Sequence, residues 1–546
     1  MEVDWYYHGS VDLYSSIIMN LSVSYNCSWD FEASVIVSCR SHASVSHCIE
    51  MSFRDSTVAI IETGRTVVRA GLGLHDLLRP PSVEFQARVG LRKNGSEPTL
   101  VSPNGRQKSS RTVSVLPQYA STALVHDYLV GNQLDEALAA GQDIAVSWPF
   151  ADGTVRDWVQ AEALWKYALF NQLQLRRTQN ESPVLLSMFS GLSRSDYERT
   201  CQLFFERLNV AGFCLVERPM AQIYSSNTIT GVVVDIGHEK TDVTPVLDGL
   251  IIHNARTTST LGVRDCQAYL ANLLRTNQTV MSAFSPPESP LEPEALNSLL
   301  LDLVKQIMED GYVKVPSDGE TAVVEDEGIT DIAAIVVAGK EKAVIESGMK
   351  KKANAKASAA EQARAREIEA LDLITVTFRE KEVTLGKERH RFCEPLFDPS
   401  LLQGLPPYHQ CARGADVLSL QEVVGKSVAL VEFDQRQYVW QGLFVTGDVT
   451  RHVKGIGVAL QSRLAPYILA NSDIQTDVQA RVIRLTNVPE YYPEYRDTGN
   501  GYAAFLGASI VAKLCFNDSS SRNYVSKTDY INKGPHAVIE MAPTLL

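Results

Sequence analysis

Runs of apolar residues that end in an acid and a glycine set the first pattern along the chain. Val58-Ala-Ile-Ile-Glu-Thr-Gly64 reads as a buried strand closing in a turn, and Thr66-Val-Val-Arg-Ala-Gly71 as the strand returning from it. The pattern comes back at Val232-Val-Val-Asp-Ile-Gly237, with Asp242-Val-Thr-Pro-Val-Leu-Asp248 as its return strand. Two strand–acidic turn–strand units this far apart predict a duplicated lobe. Between them the period turns helical. Trp158, Ala161, Trp165 and Ala168 fall on one face. Ser193-Arg-Ser-Asp196 has the form of a capping box, and Tyr197, Cys201, Phe204, Phe205 and Leu208 behind it form an apolar stripe that belongs in a core.

Three segments break these patterns. Residues 1–50 show no clear period and hold Cys27, Cys39 and Cys48, whereas Met51 opens a polar lead straight into the first strand. The first fifty residues are therefore expected to be an extension outside the folded body, or an artefact of the gene model, with Met51 as the natural start. Residues 283–331 are rich in Pro, Glu and Asp, including Glu325-Asp-Glu327, and predict a flexible acidic insertion. An Ala-rich, charged stretch from Gly348 onward predicts a solvated helix, with Lys350–Lys352 as an alternative nuclear-import signal or partner contact.

Composition narrows the function. The 546 residues suffice for two lobes with cores of their own. The net charge of −13 argues against a surface that grips DNA throughout and leaves open a local basic patch or a nucleic-acid-binding partner. The nine cysteines include no Cys-x-x-Cys pair and no zinc spacing, and read as free thiols of a reducing compartment. No apolar run reaches the ~18 residues of a spanning helix, and no secretory leader is evident, so neither membrane nor secretion is expected.

Several longer blocks resemble the actin superfamily, and they occur in its order. Trp148-Pro-Phe-Ala-Asp-Gly-Thr-Val-Arg-Asp-Trp158, with Glu162 and Trp165, resembles the actin segment leading into a helix of the first lobe. Val383–Phe397 is similar to the actin stretch "IGNERFRCPEALF", and Gly507-Ala-Ser-Ile, Tyr524–Tyr530 and Gly534-Pro535 resemble the actin C-terminal end. Within the superfamily, Val234–Asp248, Pro489–Tyr495 and Ala-Gly-Lys-Glu-Lys342 resemble the ninth actin-related proteins of fungal SWI/SNF and RSC-type chromatin remodellers. The resemblance implies an α/β, actin-like fold of two duplicated lobes around a central cleft. The first lobe would comprise residues 51–226, completed by 500–546. The second would comprise 227–499, with the insertion at about 283–370.

An actin-type cleft needs two hairpins that let backbone N–H groups reach the phosphates, a carboxylate near the metal, a cation and a group that orients water. By resemblance, the vestigial nucleotide-binding positions are Gly64, Arg69, Asp235, Gly237, Lys340, Glu341 and Gly447. The first hairpin carries Glu62 for aspartate, Arg65 for serine and Thr66 for glycine, and a β-branched residue narrows the backbone there. Arg65 is expected either to fill the phosphate site or to donate to an anion in it. Arg69 replaces the phosphate-binding lysine and changes its geometry. The second hairpin places Glu239 where a triphosphate would sit. The water-placing histidine corresponds to Asp242 and the water-orienting glutamine to Arg218, which cannot accept a proton. The adenosine side is better kept, through Lys340-Glu341-Lys342 and one glycine of two in the turn at Gly447-Asp448. These changes argue against efficient ATP hydrolysis and leave two alternatives, static nucleotide binding or binding too weak to matter. No residue is expected to be catalytic, none to bind metal, and His238, His253, His390 and His452 form no catalytic pattern.

The resemblance thus implies a nuclear, non-catalytic scaffold subunit. It would pair with another actin-related protein and clasp the helicase–SANT-associated helix of a remodeller ATPase by helix-in-groove recognition, with walls expected from Trp158–Phe170 and Phe505–Leu514. The alternatives are an active actin-fold ATPase switch and a dynactin-type cytoskeletal actin-related protein.

Overall fold

The computed structural model describes residues 58–73, 79–93, 123–316, 372–405, 417–468, 482–517 and 523–541. The expectations for residues 1–50, Glu325–Glu327, Lys340, Glu341 and the stretch from Gly348 lie outside the described residues.

The two acidic hairpins form, and they form alike. In the first lobe the all-buried strand Val58–Thr63 pairs antiparallel with Val67–Gly73 and parallel with Val184–Met188. In the second, Gly231–Ile236 pairs antiparallel with Thr241–Leu247 and parallel with Leu443–Thr446. Each hairpin strand is the third or fourth member of its sheet, buried on both faces, which is why both sequences are almost continuously Val and Ile rather than alternating. The match extends to individual bonds. The Gly64 N–H donates to Val67 O (2.9 Å) and the Gly237 N–H to Lys240 O (3.0 Å). Glu62 lies opposite Arg69, and Asp235 lies opposite Asp242.

The helix Trp158–Lys166 starts on Asp157, whose carboxylate accepts from the Val159 and Gln160 N–H groups. It buries Ala161, Leu164 and Trp165, and the Trp165 indole N–H donates to Thr63 Oγ1 (3.0 Å), fastening the end of the first strand. The Ser193 capping box is present, and Tyr197, Cys201, Phe204, Phe205 and Leu208 are all buried.

Residues 283–331 require a correction. Within them Pro293–Glu309 is a 17-residue helix that buries Leu296, Leu299, Leu300, Leu303, Val304, Ile307 and Met308 in the core of the second lobe. Its apolar residues recur at three- and four-residue steps, a helical period that the bracketing prolines and acids obscured. Proline at its first turn needs no N–H partner there and favours the helix.

A third core joins the lobes. The helix Ala503–Asn517 packs on the helix Arg218–Ser225, and Phe505, Ala508 and Val511 meet Val58, Ile60 and Leu185 of one lobe and Val233 and Phe444 of the other. Phe505–Leu514 was expected to wall a partner groove. Instead Phe505, Leu506, Ala508, Ile510, Val511 and Ala512 are buried within the chain, because this helix is apolar on nearly every side.

Candidate functional site

The site is the cleft where the two hairpins face each other. Arg218 opens its helix immediately after Glu217, with Pro219 setting the first turn. Its guanidinium lies between the two hairpin acids. Nη1 donates to Glu62 Oε1 (2.5 Å) and Nε to Asp235 Oδ2 (2.7 Å). Gln222, one turn on, donates to the same Asp235 oxygen (2.8 Å). Glu62 is shared: Arg69 Nη1 donates to the same Oε1 at 3.1 Å. Arg69 also reaches Glu84 (3.3 Å) and forms an ion pair with Asp448. Arg65 forms a two-pronged pair with Asp242, whose Oδ1 also accepts from Thr258 (2.7 Å). Tyr502 lies between Arg69 and Arg451, whose guanidinium carbons are 5.0 and 4.3 Å from its ring centroid, and donates to Glu84 (3.0 Å).

These are partly or fully dehydrated charges. Arg69 is 2% exposed and Glu62 1%. Burial by itself would lower the Arg218 pKa, but the Asp235 and Glu62 carboxylates outweigh it and raise it. Burial would likewise raise Asp235, and the Arg218 charge and the bonds from Arg218 and Gln222 overcome it, so its pKa lies below the ordinary value. The sign for stability follows. A carboxylate with a depressed folded pKa adds stability at pH values above its unfolded pKa, about 4, and that part is lost as the pH falls through the folded value. Acid titration of the urea midpoint from about pH 5 downward is expected to fall more steeply for the native chain than for D235N. Parallel curves would show that the Asp235 pair does not contribute.

The expected positions fare unevenly. Gly64 and Gly237 sit in the two turns, where an added Cβ would lie 2.8 Å from Val67 O and 2.7 Å from Lys240 O. Gly447 has φ +113°, a conformation that favours glycine, and a Cβ there would lie 2.2 Å from Ile236 O. Arg69 and Asp235 face the cleft, in the pairs described. Glu239 does not block it: its carboxylate pairs with Arg264 (2.5 Å) and is 47% exposed, because the turn aims it outward. Of the two possibilities for Arg65, the side chain fills the site and pairs with Asp242. In the turn at Gly447-Asp448, the Asp448 side chain holds Arg69. His390 accepts the Lys314 N–H at Nδ1 (3.1 Å), which leaves its Nε2–H to donate to Asp372 (2.7 Å), a structural role.

Sequence reading missed Glu84, Gln222 and the reach of Asp448. A signal existed for the pairs. Arg65 and Asp242, and likewise Arg69 and Asp448, are opposite charges at positions where the resemblance expects other residues.

ATP fits this cleft poorly. Beside the Arg65–Asp242 pair, a cavity lined by Arg65, Phe189, Arg218, Asp235, Asp242 and Arg256 measures ≈ 30 Å³, room for a water. Phosphates seated between the two hairpins would have to take Arg65, Arg69 and Arg218 away from carboxylates that already hold them.

Comparison with known proteins agrees with the architecture. The family model described as Actin matches residues 54–542. The chain is 27% identical over 543 residues to the SWI/SNF and RSC complexes subunit arp9 of Schizosaccharomyces pombe, covering 89% of this chain and 99% of that protein. It is 24% identical over 407 residues to Actin-related protein 7 of Arabidopsis thaliana, covering 74% of this chain and 87% of that one. With paired hairpins, duplicated sheets and a family match that spans nearly all of its described length, the chain belongs to the actin family, as an actin-related protein.

Proposed function

We propose that this chain is a non-catalytic, nuclear subunit of a SWI/SNF or RSC-type chromatin-remodelling complex. The observation that carries the non-catalytic part is the Arg218 guanidinium between Glu62 and Asp235. Two carboxylates facing across a cleft are what a metal-bound phosphate chemistry would need, and here a cation of the chain itself engages both. Arg218 also stands where a polar group would have to orient water, and a guanidinium accepts no proton. Complex membership is supported by the similarity to the fission-yeast remodeller subunit over nearly the whole of both chains.

The subunit would pair with another actin-related protein and hold the helicase–SANT-associated helix of the motor ATPase, touching DNA only through the complex. With the Ala503–Asn517 helix used internally, the base of the interlobe core is the better groove wall. There Tyr224, Ile251 and Tyr524 are half-buried against that core, and Leu250 is 50% exposed beside them. An apolar helix face would seat there, and the acidic chain would attract a basic one.

Purification of the tagged chain from its own cells, with mass spectrometry, is expected to return remodeller subunits including a second actin-related protein. Dynein-activator subunits in their place would overturn the assignment. Phosphate release by the pure protein from Mg–ATP is expected to match buffer, and release that D235N abolishes would overturn the non-catalytic reading.

A further inference from the structure

Three arginines of the first lobe reach carboxylates of the second. Arg65 pairs with Asp242, Arg69 with Asp448, and Arg218 with Asp235. We propose that this arginine clasp replaces a bound nucleotide as the tie between the lobes, holding the cleft closed in the ligand-free chain. The proposal rests on the non-catalytic reading of the cleft and adds to it a source of closure.

The three ties are spread over the whole mouth of the cleft. Arg65 joins the turn of the first hairpin to Asp242, Arg218 ties its helix to Asp235 directly across the second hairpin from Asp242, and Arg69 engages Asp448 in the turn after Leu443–Thr446, on the other side of Gly231–Ile236 from Asp242. They are also coupled. Glu62 Oε1 accepts from both Arg69 and Arg218, so opening either pair disturbs the other. Arg218 is anchored from behind, since its helix packs on the interlobe helix Ala503–Asn517 and Gln222 of the same helix holds Asp235. Glu62 and Arg69 are nearly removed from solvent and Arg218 is mostly buried, so a charge there that lost its partner would be poorly rehydrated without opening the cleft. An ordinary nucleotide-tied cleft leaves its cations free for phosphate. Here each of the three guanidiniums has its carboxylates in place, and closure needs nothing from solution. The groove at the base of the lobes would then keep one shape whatever the nucleotide concentration.

Hydrogen exchange of the full-length chain tests this, read in peptides covering residues 58–73 and 231–247. Exchange in the native chain is expected to be slow and unchanged by millimolar Mg–ATP. R218Q is expected to speed it roughly 100-fold, the scale of a broken buried pair. That single change also leaves Glu62 and Asp235 facing each other, so the triple variant E62Q/R218Q/D235N separates the causes. With both acids neutral and the clasp still absent, exchange is expected to stay fast. Return of the triple variant to native rates would overturn the proposal, as would marked slowing of the native chain by Mg–ATP. Should R218Q not fold, D448N removes a different tie of the clasp, Arg69 to a more exposed carboxylate (46%), and unchanged exchange in D448N and the triple variant together would overturn it. Failure of the clasp would leave co-purification with remodeller subunits untouched, so the two readings fail separately.

Discussion

Replacing Gly507 with valine is expected to cause the largest loss of stability of any single change considered. Gly507 lies where the interlobe helix crosses the helix Arg218–Ser225, and a Cβ there would fall 1.6 Å from Ala221 O and 2.4 Å from its carbonyl carbon. Both atoms are backbone within a helix, so no side chain can swing aside. The helices must separate, and the core around Phe505, Met220 and Val233 opens with them. Overpacking a dense core costs about 1–3 kcal/mol and sometimes more, and a backbone-to-backbone collision belongs at the upper end. Thermal unfolding followed by circular dichroism should shift down by roughly 3 °C or more. A variant melting with the native chain would show that the two helices do not cross this closely.

The second large effect is expected at Glu62. Its Oε1 serves Arg69 and Arg218 together, and the side chain is 1% exposed. In E62A two guanidiniums lose their common partner in a site that water barely enters. Breaking a buried pair by removing one member costs about 3–5 kcal/mol, because the remaining charge is stranded. Both arginines retain other carboxylates, Asp448 and Glu84 for Arg69 and Asp235 for Arg218, which places the expected loss near the lower figure. Urea denaturation measures it. E62D, which keeps the charge on a shorter stem, should recover part of the loss. If E62A unfolds at the native midpoint, Glu62 is not the hub of this network.

How much of this could be read in advance differs from one element to the next. The paired hairpins were legible because their signal is local. A run of Val and Ile ending in acid-x-Gly specifies a buried strand and a turn with no help from the rest of the chain. The Ser193 cap and the stripe behind it were legible for the same reason. The helix Pro293–Glu309 was obscured, since average composition over fifty residues outweighed a clear three-to-four period inside it. Phe505–Leu514, expected as a groove wall, lies inside the fold, because an apolar helix in a core and an apolar groove wall have the same kind of sequence.

In the cleft, the sequence alone determined which side chains are present: an arginine for a glutamine, an aspartate for a histidine, an acid in a glycine turn. Those identities already made phosphate chemistry doubtful. Only the tertiary structure decided what the charges do to each other. Arg69 and Asp448 are separated by 379 positions and Arg65 and Asp242 by 177. Their contact exists because two sheets and a shared helix bring the hairpins face to face. A Coulomb interaction depends on distance through space and on how much water is excluded, and neither is a property of position along a chain.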